Sequence, residues 1–389
     1  LAPASQERQL FISRRVVTES AEFDGGVMVD DRGVIEAVLT RDTVRLLLAE
    51  GNGSFQVIDG GNLALMAGVI DSHVHVNEPG RSSWEGYVTA TEAGASGGVT
   101  TIIDMPLNSI PPTTTVENLK IKAAIAKEEI YVDVGFWGGV VPGNEASAPL
   151  KIVLITNNSR PDPHLLPLFD TYLATHPEEM ELAAVSLVAS IVHVHIVHVS
   201  AAGVVPILER AREERVKSGY IGWRGGVTAE TCNHYLTLSS EQVPPGRTEY
   251  KCSPPIRSQA NRQKLWQYIE EHRLDLITSD HSPSVASLKG NNFLEAWGGI
   301  SSVQGYSLST VSHYLSAGPA QLCGLQERKG SIRPGLDADL IFFDPEASFV
   351  VTPDIIRYKN KIKYVGPYYR TMFCNTVLRS VLQNDDERR

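Results

Sequence analysis

Three observations in the sequence predict an α/β fold. Between residues 63 and 334, apolar runs that read as buried strands alternate with segments that read as helices. Strands without polar alternation need cover on both faces, which parallel sheets obtain from their crossover helices. The two chain ends instead offer short β-rich runs broken by Gly, Asp and Asn. A length of 389 residues, 42% of them hydrophobic, suits one large domain beside a smaller one. The expectation is a (β/α)8 barrel of the TIM type over 63–334 and a small β-sandwich formed jointly by 1–62 and 335–389.

Taken in order, the amino-terminal strands are expected at 11–17, 26–29, 34–39 and 55–58. Barrel strands follow at 65–76, 100–105, 132–141, 151–155, 192–199, 228–235 and 275–279, with helices near 82–96, 116–130, 201–217 and 261–272. The runs at 335–344, 349–351 and 371–378 return to the sandwich. Seven barrel strands fall one short of the eight required. The deficit lies within 156–191, where 156–168 is polar and Pro-rich, one helix fits near 177–189, and Ser190 meets Ile191 without a connecting turn. A strand–helix unit is expected to be missing there, and 284–291 and 304–320 are also tight.

Composition narrows the function. A formal net charge of −10 disfavours nucleic acid and anionic membranes, whose binding needs a basic surface, and favours a small-molecule partner. The four cysteines, Cys232, Cys252, Cys323 and Cys374, are scattered, which reads as reduced thiols in an intracellular, cytoplasmic setting. No apolar run reaches the roughly 18 residues of a membrane span, so a soluble protein is expected.

The segment 69–80 reads Val-Ile-Asp-Ser-His-Val-His-Val-Asn-Glu-Pro-Gly. Side chains i and i+2 of a strand share a face, so His73 and His75 should point together where Pro79 and Gly80 close the strand. Two imidazoles so placed suit one divalent ion. Other polar groups stand where later strands end, the place at which barrels build active sites. They are Asp104 with Asn108, Lys151 opening Lys-Ile-Val-Leu-Ile, His198 in Ile-Val-His-Val-Ser, Ser253 in Lys-Cys-Ser-Pro-Pro, and Asp280 in Thr-Ser-Asp-His-Ser-Pro. Each has an ordinary structural explanation alone; together they point to a metal centre.

From about residue 63 to 335 these motifs resemble the cyclic amidohydrolases, and within them the allantoinases. The resemblance rests on the 68–86 segment and on 104–114, 195–200, 251–257, 279–283 and 293–301, all in order. It implies a binuclear site, commonly zinc, with His73 and His75 on one ion, His198 on the other and Asp280 as ligand and proton carrier. It also implies a carboxylated lysine at Lys151, whose carbamate, formed from carbon dioxide, would bridge two cations that a free ammonium would repel. A further histidine is implied on the fifth barrel strand. His164 and His176 are the histidines in that interval, in loop-like settings, and neither takes the role. His193 and His195 read as packing or supporting residues.

The resemblance implies hydrolytic opening of allantoin to allantoate, with a homotetramer as the assembly. Dihydroorotase relatives place an Arg two positions after the second histidine to clamp a carboxylate; here stands Asn77, an amide suited to a neutral ring. Ser253, the backbone around Ser282, and Asn108 would complete substrate recognition, with Trp84, Trp223 and Trp297 as candidates to line the pocket. The alternatives are another cyclic amide hydrolase, namely a dihydropyrimidinase, hydantoinase or dihydroorotase, or a metal-free scaffold of the same fold.

Overall fold

The computed structural model describes residues 7–51, 55–127, 130–139, 153–155, 194–301, 312–345, 347, 354–360 and 372–377. Its strands in chain order are β1 (Arg8–Val17), β2 (Glu22–Val29), β3 (Ile35–Thr40), β4 (Phe55–Asp59), β5 (Ala64–Ala67), β6 (Val69–Val74), β7 (Val99–Asp104), β8 (Asp133–Phe136), β9 (Val153–Ile155), β10 (Val194–Ile196), β11 (Val227–Cys232), β12 (Leu276–Thr278), β13 (Leu340–Asp344) and β14 (Met372–Val377). The helices are α1 (Arg41–Glu50), α2 (Tyr87–Ser96), α3 (Val116–Ala126), α4 (Val204–Lys217), α5 (Asn233–Thr237), α6 (Gln259–Glu270) and α7 (Gly318–Leu322).

Both chain ends enter one sheet. Its order is β14-β13-β5-β1-β2-β3, with β4 also pairing with β1. Phe11, Val27, Ile35, Leu65, Leu340 and Phe342 form its core. Two differences from the sequence reading arise here. The strand expected over 65–76 is two strands broken at Gly68, where a Cβ would lie 2.2 Å from the Thr100 hydroxyl and the backbone N–H donates to Asp339. The first piece, β5, joins the terminal sheet through β1 and β13. Helix α1 was not expected; Thr40 caps it by accepting from the Thr43 N–H, Gly51 ends it at φ 61, and Val44 packs it onto Leu10 and Met28.

The central strands are parallel. They form the arrays β6-β7-β8 and β12-β11-β10-β9, and a parallel bridge from Val74 to His281 joins the two. Strands β6, β7 and β11 are buried at every position, as a sheet covered on both faces requires. Helices α2, α4 and α6 supply that cover through Tyr87, Ala90, Leu208, Leu265 and Ile269. All these strands run the same way, so the ends of β6, β7, β10, β11 and β12 open on one side.

Candidate metal centre

The end of β6 carries His73, and His75 follows where the His75 N–H donates to the His281 carbonyl at 2.8 Å. Asp280 follows β12 and His198 follows β10. The structure brings these four together. Oδ1 of Asp280 lies 3.4 Å from Nε2 of His73 and 3.5 Å from Nε2 of His75. The His73 ring centroid is 5.4 Å from that of His75 and 5.6 Å from that of His198. Lys151, His164, His176 and His193 lie outside the described residues.

The imidazoles of His73 and His75 are held from behind. Nδ1 of His73 meets Oε1 of Glu230 at 2.5 Å, and the Asn108 amide lies 3.4 Å from Nδ1 of His75. Both Nε2 atoms are thereby left to converge on Asp280. Ligating atoms of His73, His75 and Asp280 fall within 4.8 Å of one another, a two-nitrogen, one-oxygen donor set that fits a zinc-like divalent cation. Asn108, expected at the substrate, thus stands beside one of these histidines.

Electrostatics agree with that fit. Burial alone would lower the pKa of His73, but the Glu230 and Asp280 carboxylates outweigh it and raise it to about 9. Burial likewise pushes the Glu230 and Asp280 carboxyls up, yet the neighbouring imidazoles hold both well below the usual carboxylate range. The site therefore concentrates anionic charge that a cation would meet.

Four of its residues take left-handed backbone angles: Asn77 at φ 68, Asn108 at 71, His198 at 41 and Asp280 at 44. For residues other than glycine this region is strained, and it turns each side chain abruptly off its strand end. Asn77 is buried, its Nδ2 donating to the Pro283 carbonyl at 3.3 Å while its Oδ1 has no hydrogen-bond partner. Ser282 donates to Oδ1 of Asp280 at 2.9 Å. Gly299 presses on Ser282, where a Cβ would lie 2.3 Å from the Ser282 carbonyl oxygen, and Gly298 lies beside the Cys252–Ser253 backbone.

Glu230 escaped the sequence reading. It accepts from His195 through Oε2 at 3.0 Å and from the His198 N–H through Oε1 at 3.3 Å. A carboxylate inside the fully buried strand β11 was the available signal, since buried charge demands a partner. Trp84 and Trp297 meet edge to face at 4.9 Å, with Arg81 4.6 Å from the Trp84 ring. Trp223 precedes β11 and so stands at the opposite end of the strands, away from the site.

A family model described as the amidohydrolase family matches residues 64–160 and 169–372. The chain belongs to the amidohydrolase family. Among its relatives, the allantoinase of Streptomyces avermitilis is 37% identical, covering 94% of this chain and 93% of that protein. The mitochondrial allantoinase of Aquarana catesbeiana is 40% identical over 69% of this chain and 68% of its own length, and the Arabidopsis thaliana allantoinase 36% over 88% and 80%. Two solved structures share the amidohydrolase fold. The L-hydantoinase (dihydropyrimidinase) of Arthrobacter aurescens superposes with a TM-score of 0.80 at 21% identity, over 96% of this chain and 95% of that one. The dihydropyrimidinase of Brevibacillus agri gives 0.79 at 21%, over 96% and 94%. The Streptomyces alignment spans 433 residues, more than the 389 of this amidohydrolase, so the relative carries stretches that this chain lacks.

Proposed function

We propose that this amidohydrolase is an allantoinase, opening the hydantoin ring of allantoin to allantoate by metal-assisted hydrolysis. The observation that carries the reading is the convergence of Nε2 of His73 and Nε2 of His75 on Oδ1 of Asp280, in a chain 37% identical to an allantoinase over nearly its whole length. The architecture inferred around it is a (β/α)8 barrel over 63–334, with the terminal segments as a β-sandwich and a strand–helix unit absent within 156–191. The interruption of the family match at 161–168 supports that placement.

His73, His75, His198 and Asp280 would hold two divalent cations, with Lys151, as a carbamate, as a further ligand. Zinc suits these donors. Bound there, the cations would polarise the scissile carbonyl and acidify a water molecule. Asp280 takes the proton of the attacking water and returns it to the leaving ring nitrogen, ending with the ring opened to a carboxylate. Glu230 fixes the tautomer of His73 by holding its Nδ1, and Asn108 steadies His75. The unpartnered Oδ1 of Asn77 offers an acceptor for a ring or ureido N–H, while Ser253 and the Ser282 backbone would flank the ring.

A homo-oligomer, a tetramer by resemblance, and an intracellular setting complete the reading. Among the described residues Cys232, Cys252 and Cys323 stand in no disulfide, which supports a reducing compartment. Among the described residues no helix is long and apolar enough to cross a membrane.

The test is one purified sample offered allantoin, dihydrouracil and dihydroorotate, with its metal content measured. Fastest turnover of allantoin by metal-loaded protein is expected. Preference for either other ring would move the assignment to a dihydropyrimidinase or dihydroorotase, and a sample that neither binds metal nor turns over any ring would favour the scaffold.

A further inference from the structure

We propose that Cys232, His234 and Asp280 form a second cation site, beside the His73–His75–Asp280 set, which takes a soft divalent ion and arrests turnover by engaging the Asp280 carboxylate. Cys232 ends β11 and His234 stands in the first turn of α5, so the strand-to-helix junction places thiol and imidazole two residues apart at the open side of the sheet. Their ligating atoms and a carboxylate oxygen of Asp280 lie within 4.8 Å of one another, and all three residues are buried.

The observation that points to a ligand is His234. Its residue exposure is 3%, and its ring finds no hydrogen bond of good geometry, the Ser279 backbone offering a weak one. Burying an imidazole in that condition is costly, and a cation would satisfy one nitrogen directly. The Cys232 sulfur is also weakly engaged, its polar neighbour being the Thr278 hydroxyl at 3.7 Å.

Donor chemistry separates the two sites. The His73–His75–Asp280 set offers nitrogen and oxygen, whereas the set with Cys232 adds a thiolate, which favours thiophilic ions. Binding there releases the Cys232 proton to solvent and leaves a sulfur–nitrogen–oxygen set with a fourth position open. Asp280 belongs to both sets. An ion held by Cys232 and His234 would occupy the carboxylate that accepts and returns the reaction's proton, a consequence that rests on the role proposed for Asp280 above.

The experiment titrates cadmium into the metal-loaded full chain, reading bound cadmium, ultraviolet sulfur-to-metal charge-transfer absorption and allantoin turnover. Wild-type protein should bind one more cadmium ion per chain than Cys232→Ser, show the absorption, and lose activity as it appears. Cys232→Ser should keep basal turnover, lack the absorption and require at least about tenfold more cadmium for the same inhibition, the change given by 1.4 kcal/mol of lost affinity. His234→Gln should weaken cadmium binding similarly, and Cys252→Ser should not. Absorption that survives Cys232→Ser, or is lost in Cys252→Ser instead, would overturn the site. Should the wild type fail to open allantoin, the functional reading fails, while stoichiometry and absorption still decide whether the ion binds.

Discussion

Nδ1 of His73 and Oε1 of Glu230 stand 2.5 Å apart with both side chains shut off from solvent. Glu230 reaches His195 through its other oxygen, and His195 in turn meets the Thr228 hydroxyl at 2.8 Å. The chain of contacts fixes which nitrogen of His73 faces Asp280. Glu230→Gln preserves shape but removes the charge, so cation affinity should fall about 10- to 100-fold, the usual cost of losing an outer partner of a ligating histidine. Dialysis against a competing chelator measures it. Unaltered affinity would detach Glu230 from the centre.

Asp280 is shared between His73, His75 and Ser282. Asp280→Ala removes the proposed ligand and proton carrier together, so turnover should vanish while far-ultraviolet circular dichroism stays that of the wild type. Near-normal rates would refute the assignment, and loss of the folded spectrum would assign Asp280 a structural role as well.

How much of this was legible in the sequence follows from what each residue depends on. His73 and His75 were readable because strand alternation alone puts them on one face. The parallel strands were readable because burial on both faces writes continuous apolar runs, as in β7 and β11. Glu230 was not, because its meaning lies in partners 157 and 35 residues away. The contact of Asn108 with His75 was hidden for a similar reason: its left-handed φ of 71 and its neighbour His75 belong to the fold, not to local sequence. Helix α1 was missed because a Thr cap and a terminal Gly bracket a segment whose Val44 alone is fully buried.

Asn77 is 1% exposed and sits against the Pro283 carbonyl. Asn77→Arg would bury a guanidinium without a carboxylate partner in the free protein. Allantoin turnover should collapse, and the thermal midpoint should fall. If the position governs substrate charge, the residual activity should shift in relative terms from allantoin toward dihydroorotate, whose carboxylate supplies the missing partner. Unchanged allantoin kinetics would place this side chain outside the pocket.

Lys122 of α3 is buried against Asp104 at the end of β7, Nζ to Oδ2 being 2.8 Å, and it also donates to the Met105 carbonyl at 2.9 Å. Asp104 accepts further from the Tyr87 hydroxyl at 2.7 Å and from the Val76 N–H at 3.0 Å. That last bond ties the carboxylate to the segment bearing His75 and Asn77. Lys122→Met strands a buried carboxylate, at a cost of about 3–5 kcal/mol. Asp104→Asn strands the ammonium instead. The double variant removes both charges at once, so its loss of stability should be smaller than the sum of the single losses, read as midpoints and slopes in urea unfolding. Strict additivity would mean that the pair does not act as a unit. Each single variant should also raise KM for allantoin more than it lowers kcat, because the displaced Val76 backbone moves Asn77, proposed to bind the ring, while Asp280, which follows β12, keeps its place.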